Sequence, residues 1–522
     1  GGKDCLLGAC VSPCFEDYKS NTYSGCDYWA VDMDNIDAAQ NGPYALLVAN
    51  LASTATDITV SRRDGPGVLS STAYTTLLQP GALEVIQLPQ RHLGGAGIGW
   101  NAWRLETTSP VVAYQFNPLS NVDVFSNDAT LLLPVHTYGK HYIVVTQPQL
   151  LGVGPGGEGK IPYRGTATIV TTSSDTTVTV IPTARTMAGP DLPAMQAGET
   201  HTIPLQPYQI LNLKSDEVDG DLTGTEIFAN RPIGVFSGHE SALSSNACCT
   251  DHLEQQLYSV SDWGKRYVAA KAMPRNAEPD YWRVTASEDQ TTVTFTPAVS
   301  APVVLQKGQF YEISTTVDFM VESDRPVLVT QLLASSGEVV SPPAGTPCET
   351  AAECHPGYSC DILDTLYRGC AAPTCGGAGG ACLPGHTCRC EDVDEAEATE
   401  EEDGPSCLCV PIGDPSLILA APAEEYRSSY IFLTPGEYAF DYINVIAPTG
   451  AVVTLDEVGL DGGAFTPVPG TEYYVARLPV TDGIHSISAS APISVVVYGY
   501  DDDVSYGYLG GLGLHDIGHR QR

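Results

Sequence analysis

Two histidines, two adjacent cysteines and three carboxylates fall within "SGHESALSSNACCTDHLEQQL", residues 237–257. His239, Cys249 and His252, with Cys248 beside them, have the nitrogen and sulfur donors that hold zinc tetrahedrally. The same thiols would close into disulfides in an oxidising compartment, either with each other or with a distant partner. Bridging is the favoured reading, with His239 and Cys249 pinning a crossover between two parts of the fold. Enzymatic motifs stop short here. "HESAL" (239–243) begins a zinc-protease motif but has Leu243 where the second histidine belongs. "HLE" (252–254) begins a deaminase motif without the downstream P-C-x-x-C. No G-x-S-x-G nucleophile elbow exists in the chain. "GVGPGG" (152–157) fits a dinucleotide fingerprint literally, but Pro155 interrupts it and no amphipathic helix follows; "GGAGIG" (94–99) has no better context. No catalytic residue is therefore assigned, and no enzyme is expected.

Calcium needs several oxygen ligands at alternating positions. The candidate turns are Asp32, Asp34 and Asp37; Asp216, Asp219 and Asp221; and Asp501, Asp502 and Asp503. None is an EF-hand loop, so solvated turns are the simpler reading. No cofactor is required by these residues. Ca2+ ranks ahead of Zn2+ as a ligand, with Asp216, Asp219 and Asp221 as its best set.

Composition narrows the class of protein that must position these residues. Acids outnumber bases 62 to 25, for a net charge of −37 over 522 residues. Such a surface repels nucleic acid and anionic membranes. Gly (51), Pro (38) and abundant β-branched residues favour many short strands over helices. No apolar run approaches the length of a membrane span. Sixteen cysteines cluster in three places, as in disulfide-stapled extracellular modules. The bridging candidates are Cys5, Cys10, Cys14 and Cys26; Cys248 and Cys249; and Cys348, Cys354, Cys360, Cys370, Cys375, Cys382, Cys388, Cys390, Cys407 and Cys409. The chain reads as an exported protein whose signal peptide has been removed. No N-x-S/T sequon is present, which argues against a eukaryotic secretory product.

A unit recurs four times. Its first landmark is an alternating strand: "STATDITVSR" (53–62), "TSSDTTVTVIP" (172–182), "SEDQTTVTFTP" (287–297) and "APTGAVVTLDE" (447–457). Its second is a turn-led pair: "LQPGALEVIQLP" (78–89), "MQAGETHTIPL" (195–205), "LQKGQFYEIS" (305–314) and "VPGTEYYVARL" (468–478). Its third is an apolar strand entered through Pro110, Pro232, Pro326 or Pro492, with proline expected at the first strand position, where no ladder bond is lost. Units two to four open on "LLLPVHTYGKHYIVV", "QLYSVSDWGKRYVAA" and "LILAAPAEEYRSSYIFL". Seven or eight short strands per unit predict an all-β chain of tandem antiparallel β-sandwich-like repeats, the alternative being a propeller-like closed arrangement. The expected divisions are an N-terminal Cys-rich cap (1–26), repeats at 27–125, 126–245 and 246–340, a disulfide-rich insert with an acidic loop (341–414), and a fourth repeat (415–522). The insert's "EDVDEAEATEEED" holds nine acids in thirteen residues, a solvated segment.

"GDLTGTEIFANRPIGVFSGHES" followed by "CCTDHLEQQLYSVSDWGKRYV" resembles the N-terminal domain of the IgG Fc-binding protein family. The residues carrying the likeness are Asp221 to Thr225, Pro232, Ser237 to His239, Cys249, His252, Glu254, Trp263, Gly264 and Tyr267. "HLEQQL" departs slightly from the family's "HLEEQL"-like segment. "YSGCDYWAVDMDN", "YQFNPLSNVDVFSNDATLLLP" and "YGYDDDVSYGYLGGLGL" resemble bacterial, myxobacteria-like members. The resemblance implies an extracellular or cell-surface protein that binds or adheres to a protein or glycan partner without catalysis. A structural subunit of a filament or surface layer, self-associating into polymers, is the alternative. Neither reading includes nucleic acid or a membrane span.

Overall fold

The computed structural model describes Cys14 and residues 22–37, 39–119, 126–153, 160–339 and 411–514, with the backbone of short strands at Asp4–Leu6, Ala9–Val11, Ser359–Asp364, Tyr367–Ala371, His386–Cys390 and Cys407–Pro411.

One strand in each unit explains the architecture. In the first unit Trp103–Asn117 runs through two sheets. Its first half pairs with Gly25–Ala30 and Thr56–Arg62, the latter backed by Ser71–Leu78. Its second half pairs with Tyr44–Asn50, backed by Leu83–Leu88, and with Asp128–Leu131. The third and fourth units repeat this plan around Phe319–Leu332 and Gly483–Asp501. In the second unit the long strand is broken, into Glu226–Ala229 and Ile233–Ala242, and the two sheets separate. Each unit is therefore a two-sheet antiparallel sandwich. No closed propeller of single-sheet blades forms among the described residues.

Alternation along the strands builds the cores, since successive side chains point to opposite faces. Ile58 and Val60 face Leu46, Val48 and Leu105 in the first unit; Val293, Val321, Val284 and Val329 meet in the third. Burying each such side chain stabilises the fold by roughly 1.5–3 kcal/mol.

Two details depart from the sequence expectation. Pro110, Pro326 and Pro492 lie inside single long strands, not at their first positions. They mark the point where the strand passes from one sheet to the other. The ladder changes partner there, so a missing N–H costs little. The second-unit landmark also shifts. "MQAGETHTIPL" ends in His201–Leu205, which pairs with the alternating strand Thr176–Ile181, and the true counterpart of the turn-led pair is "LQPYQILNLK" (205–214). Gly81, Gly308 and Gly470 take positive φ at that turn in the other units, and Tyr208 takes it here, at +73°. A search keyed on glycine is drawn instead to Gly198, another positive-φ turn. Tyr208 packs on Trp29 at 4.6 Å between ring centroids and hydrogen-bonds Ser61 at 2.9 Å, fastening unit two to unit one.

A tyrosine secures each crossing. Tyr28, Tyr142, Tyr267 and Tyr430 donate to the carbonyls of Val111, Ile233, Val327 and Ile493, each the residue after the crossover proline, at 2.6–2.8 Å. In units two to four the same hydroxyl accepts the N–H three residues before it, from Gly139, Gly264 and Arg427. All four rings are buried.

The units surround a common centre. The strand closing each unit is Asp128–Leu131, Asp251–Leu257, Leu417–Leu419 or Val504–Leu509. The first and third of these each pack against the second and the fourth. Near the chain ends, Thr22 bridges to Gly513, and the Tyr23 hydroxyl accepts from the Ile431 N–H.

Candidate functional site

The motif residues of the 237–257 stretch converge on the boundary between units one and two. Ile233–Ala242 carries Ser237, His239 and Glu240; its neighbour Asp251–Leu257 carries His252 and Glu254. Lys214, at the end of Ile210–Lys214, places its ammonium against the carboxylates of both Asp34 and Glu240. Lys214 and Asp34 are each only 4 % exposed. Burial opposes the Lys214 charge, but the two carboxylates hold its pKa above the ordinary lysine value. Asp34 also accepts from the N–H groups of Gly94 and Gly95, at 3.1 and 2.8 Å, so the Gly-rich run lies against an acid. Asp32 accepts from Arg91 N and His92 N; burial nevertheless pushes its pKa up to about 6. Behind them, Glu254 accepts from Gln115 at 3.2 Å, and burial raises its pKa.

Above this floor lies a polar cleft of about 330 Å³, lined by Asp37, His92, Arg164 and Glu240 among others. Between units two and three a larger cleft, about 630 Å³, is lined by Lys140, His141, Ser259, Ser261, Lys265 and Glu288. These two lysines give that cleft a cationic lining on a strongly acidic molecule.

The sequence-predicted site residues are distributed as follows. His239 is buried with both ring nitrogens engaged: Nε2 donates to Pro148 O at 3.1 Å, and Nδ1 accepts from Ser241 N at 3.0 Å. Its neutral tautomer is thereby fixed, and burial lowers its pKa to about 4. Burial does the same to His252, also to about 4; its Nε2 lies 3.5 Å from Glu254. Cys248 is bonded to Cys249, and Cys14 to Cys26. Among the described residues no three His, Cys, Asp or Glu side chains assemble as a metal would need. Asp216 is paired with Arg164 and Arg185, Asp221 with Arg283, and Asp219 occupies a positive-φ turn apart from them. Backbone register sets Cys5 opposite Cys10, Cys360 opposite Cys370, Cys388 opposite Cys409 and Cys390 opposite Cys407. Cys348, Cys354, Cys375 and Cys382, and the acidic loop 391–403, lie outside the described residues.

Sequence reasoning missed Lys214 and Asp34 as a pair and the cationic cleft. Their partners are more than a hundred residues apart or on different units, and no local spacing announces them. The one available signal was a lysine inside an apolar strand, "ILNLK".

The described residues on either side of the insert are held together where unit three ends and unit four begins. Arg275 donates to the carbonyls of Ala334, Ile412 and Gly413, and Asp414 accepts from Ser336 N and Oγ, so both stems of the insert are gripped. Ser335 Oγ donates to Cys248 O, and Ser244 Oγ to Glu338, which seats the vicinal cysteine loop beneath the stem.

A family model described as IgGFc binding protein matches residues 128–350 and 409–499, together more than half of the chain. The human IgGFc-binding protein is 29 % identical over 141 residues, covering 27 % of this chain and 2 % of that relative. The chain thus spans a small fraction of that protein's length. No solved structure matches.

Proposed function

This chain belongs to the IgGFc-binding protein family, and from that premise we propose that it is an extracellular, non-enzymatic binding protein that adheres to a protein or glycan partner at a bacterial surface. The observation that carries the reading is the 630 Å³ cleft between units two and three. Its walls are strand ends fixed by the Tyr142 and Tyr267 bonds, so the site is preorganised and little ordering entropy is lost on binding. Lys140 and Lys265 would receive an acidic group of the partner, while the −37 charge elsewhere repels nonspecific anions. The clustered cysteines support an oxidising compartment. No helix of the described residues is long and apolar enough to cross a membrane.

The test is an array of extracellular proteins and acidic glycans probed with the purified chain, alongside the Lys140→Glu, Lys265→Glu double variant. Binding by the parent chain and its loss in the variant support the reading; a blank array, or binding unchanged by the variant, overturns it. A second reading, a self-associating filament subunit, is favoured by the outer edge of unit one, where Leu69 is 88 % and Leu77 56 % exposed near an open strand edge. Light scattering that reports monomers at every concentration removes it.

A further inference from the structure

Three of the four crossings carry a glycine that the neighbouring unit requires. Gly25, Gly139 and Gly264 each lie three residues before the tyrosine that secures the crossing of their own unit. A Cβ on them would collide with Pro134, Ser259 or Pro422. Each of those residues leads into the short turn of 3-10 helix that opens the next unit, at Val135–Thr137, Val260–Asp262 or Ala423–Glu425. Only a residue without a side chain lets the two segments approach so closely. Unit four has Arg427 at the matching place, three residues before Tyr430. Its guanidinium lies over the Tyr23 ring, 6.0 Å from the centroid.

Arg427 lines a cleft of about 400 Å³ between unit four and the segment that enters unit one. Its floor is the outer face of a sheet of unit four. Ser429 stands opposite Ser488, and Ser488 opposite Thr454, so these three hydroxyl side chains share one face across three strands. Ser486, two residues from Ser488, shares that face by alternation. Ser429, Ser486 and Ser488 are exposed, while Ile487 between the last two is buried. Among the described residues the Arg427 guanidinium has no ion pair and no hydrogen bond, and its Nε is buried without a partner. Buried polar groups left unpaired are rare in folded proteins. An unpaired cation is more unexpected still on a chain whose acids outnumber its bases 62 to 25. The acid in the lining, Glu457, is exposed and does not pair with it.

We propose that this cleft binds a sugar carrying a single negative oxyanion, a sulfate ester or a carboxylate. The planar guanidinium fork takes two oxygens of such a group side by side. The serine and threonine hydroxyls both donate and accept, which is what the hydroxyls of a sugar ring require of their partners. One cation beside Glu457, on a chain of net charge −37, favours a monoanion. A phosphate ester, with about 1.5–2 charges at neutral pH, fits less well. The donors are fixed before the ligand arrives, which limits the ordering cost of binding. Arg427 N donates to the Tyr430 hydroxyl at 2.8 Å, and that hydroxyl donates to Ile493 O at 2.6 Å, holding the strands that carry Arg427 and the serines. The site lies where units four and one meet, and it is independent of the cleft between units two and three.

The test is saturation-transfer NMR on the full chain, titrated with galactose sulfate, galacturonic acid and neutral galactose. At least one charged sugar should bind about tenfold or more tightly than galactose, as expected of a hydrogen-bonded charge pair. Whichever charged sugar does so identifies the source of the oxyanion. Arg427→Gln should erase that advantage and bring the charged sugar down to the affinity of galactose. The double variant Ser429→Ala, Ser488→Ala, on an exposed sheet face, should weaken the charged sugar severalfold with an unchanged melting midpoint. Lys140→Glu, Lys265→Glu should bind it as the parent chain does, which separates this site from the cleft between units two and three. No binding of either charged sugar, or equal affinity for all three sugars, overturns the proposal. So does parent affinity in Arg427→Gln, or loss of binding in Lys140→Glu, Lys265→Glu.

Discussion

The boundary between units one and two and the centre of the four units both bury acids, but they neutralise them differently. At the boundary, Asp34 and Glu240 share Lys214, a cation supplied by the chain itself. At the centre, Asp128, Asp251 and Asp414 rely on N–H and hydroxyl donors. The first arrangement is closed by folding alone. The second is held by hydrogen bonds without an ion pair among the described residues, and burial raises the proton affinity of its acids.

The largest expected effect comes from removing the internal cation. Lys214→Met leaves the buried Asp34 and the half-buried Glu240 without their shared cation and should cost about 3–5 kcal/mol, read as a lowered urea midpoint. A loss below about 1 kcal/mol would show that the boundary, too, does not depend on its own lysine. Between the extremes lies a neutral network that belongs to neither region. Tyr267→Phe leaves Val327 O and Gly264 N without their partner and should cost about 1–3 kcal/mol by the same measurement. An unchanged midpoint would mean that the crossing needs no latch.

The effects of pH differ in sign between the two regions. Burial pushes Asp441, beside the centre, up to about 7 and Asp414 up to about 6, from an ordinary 3.8. The folded state therefore holds protons that the unfolded chain releases. That stability is complete below about pH 4 and is lost as pH rises through 6 to 7. Burial lowers His239 and His252 to about 4 from 6.5, so their contribution is present above 6.5 and lost as pH falls toward 4. The stability gap between the parent chain and Asp441→Asn should narrow from pH 4 to 7. The gap to His252→Gln should narrow in the opposite direction, from 6.5 to 4. Thermal melts across that range check both; parallel pH curves for parent and variants would remove the distinction.

Much of the frame was legible because it is local. "TTVTVI" and "TTVTFT" announce half-buried strands through period-2 alternation, and the recurring prolines mark the same crossing in all four units. The tyrosine that latches each crossing was not legible. Tyr267 and Val327 are sixty residues apart and meet only because the long strand folds back over the opening one. The turn at Tyr208 was hidden for a related reason: its positive φ is held by contacts with Trp29 and Ser61 in another unit.

The candidate chemistry divides along the same line. The 237–257 stretch looks reactive as a string of residue types; in the fold His239 is a buried hydrogen-bonding group, and Cys248 and Cys249 bond each other in the loop between the two strands. The sequence by itself determined the all-β class, the fourfold repetition and the acidic surface, since composition and short-range periodicity encode them. Only the tertiary structure decided which acids meet a lysine and which meet only dipoles. Burial and charge pairing depend on residues that approach from distant units, and no spacing along the chain records that approach.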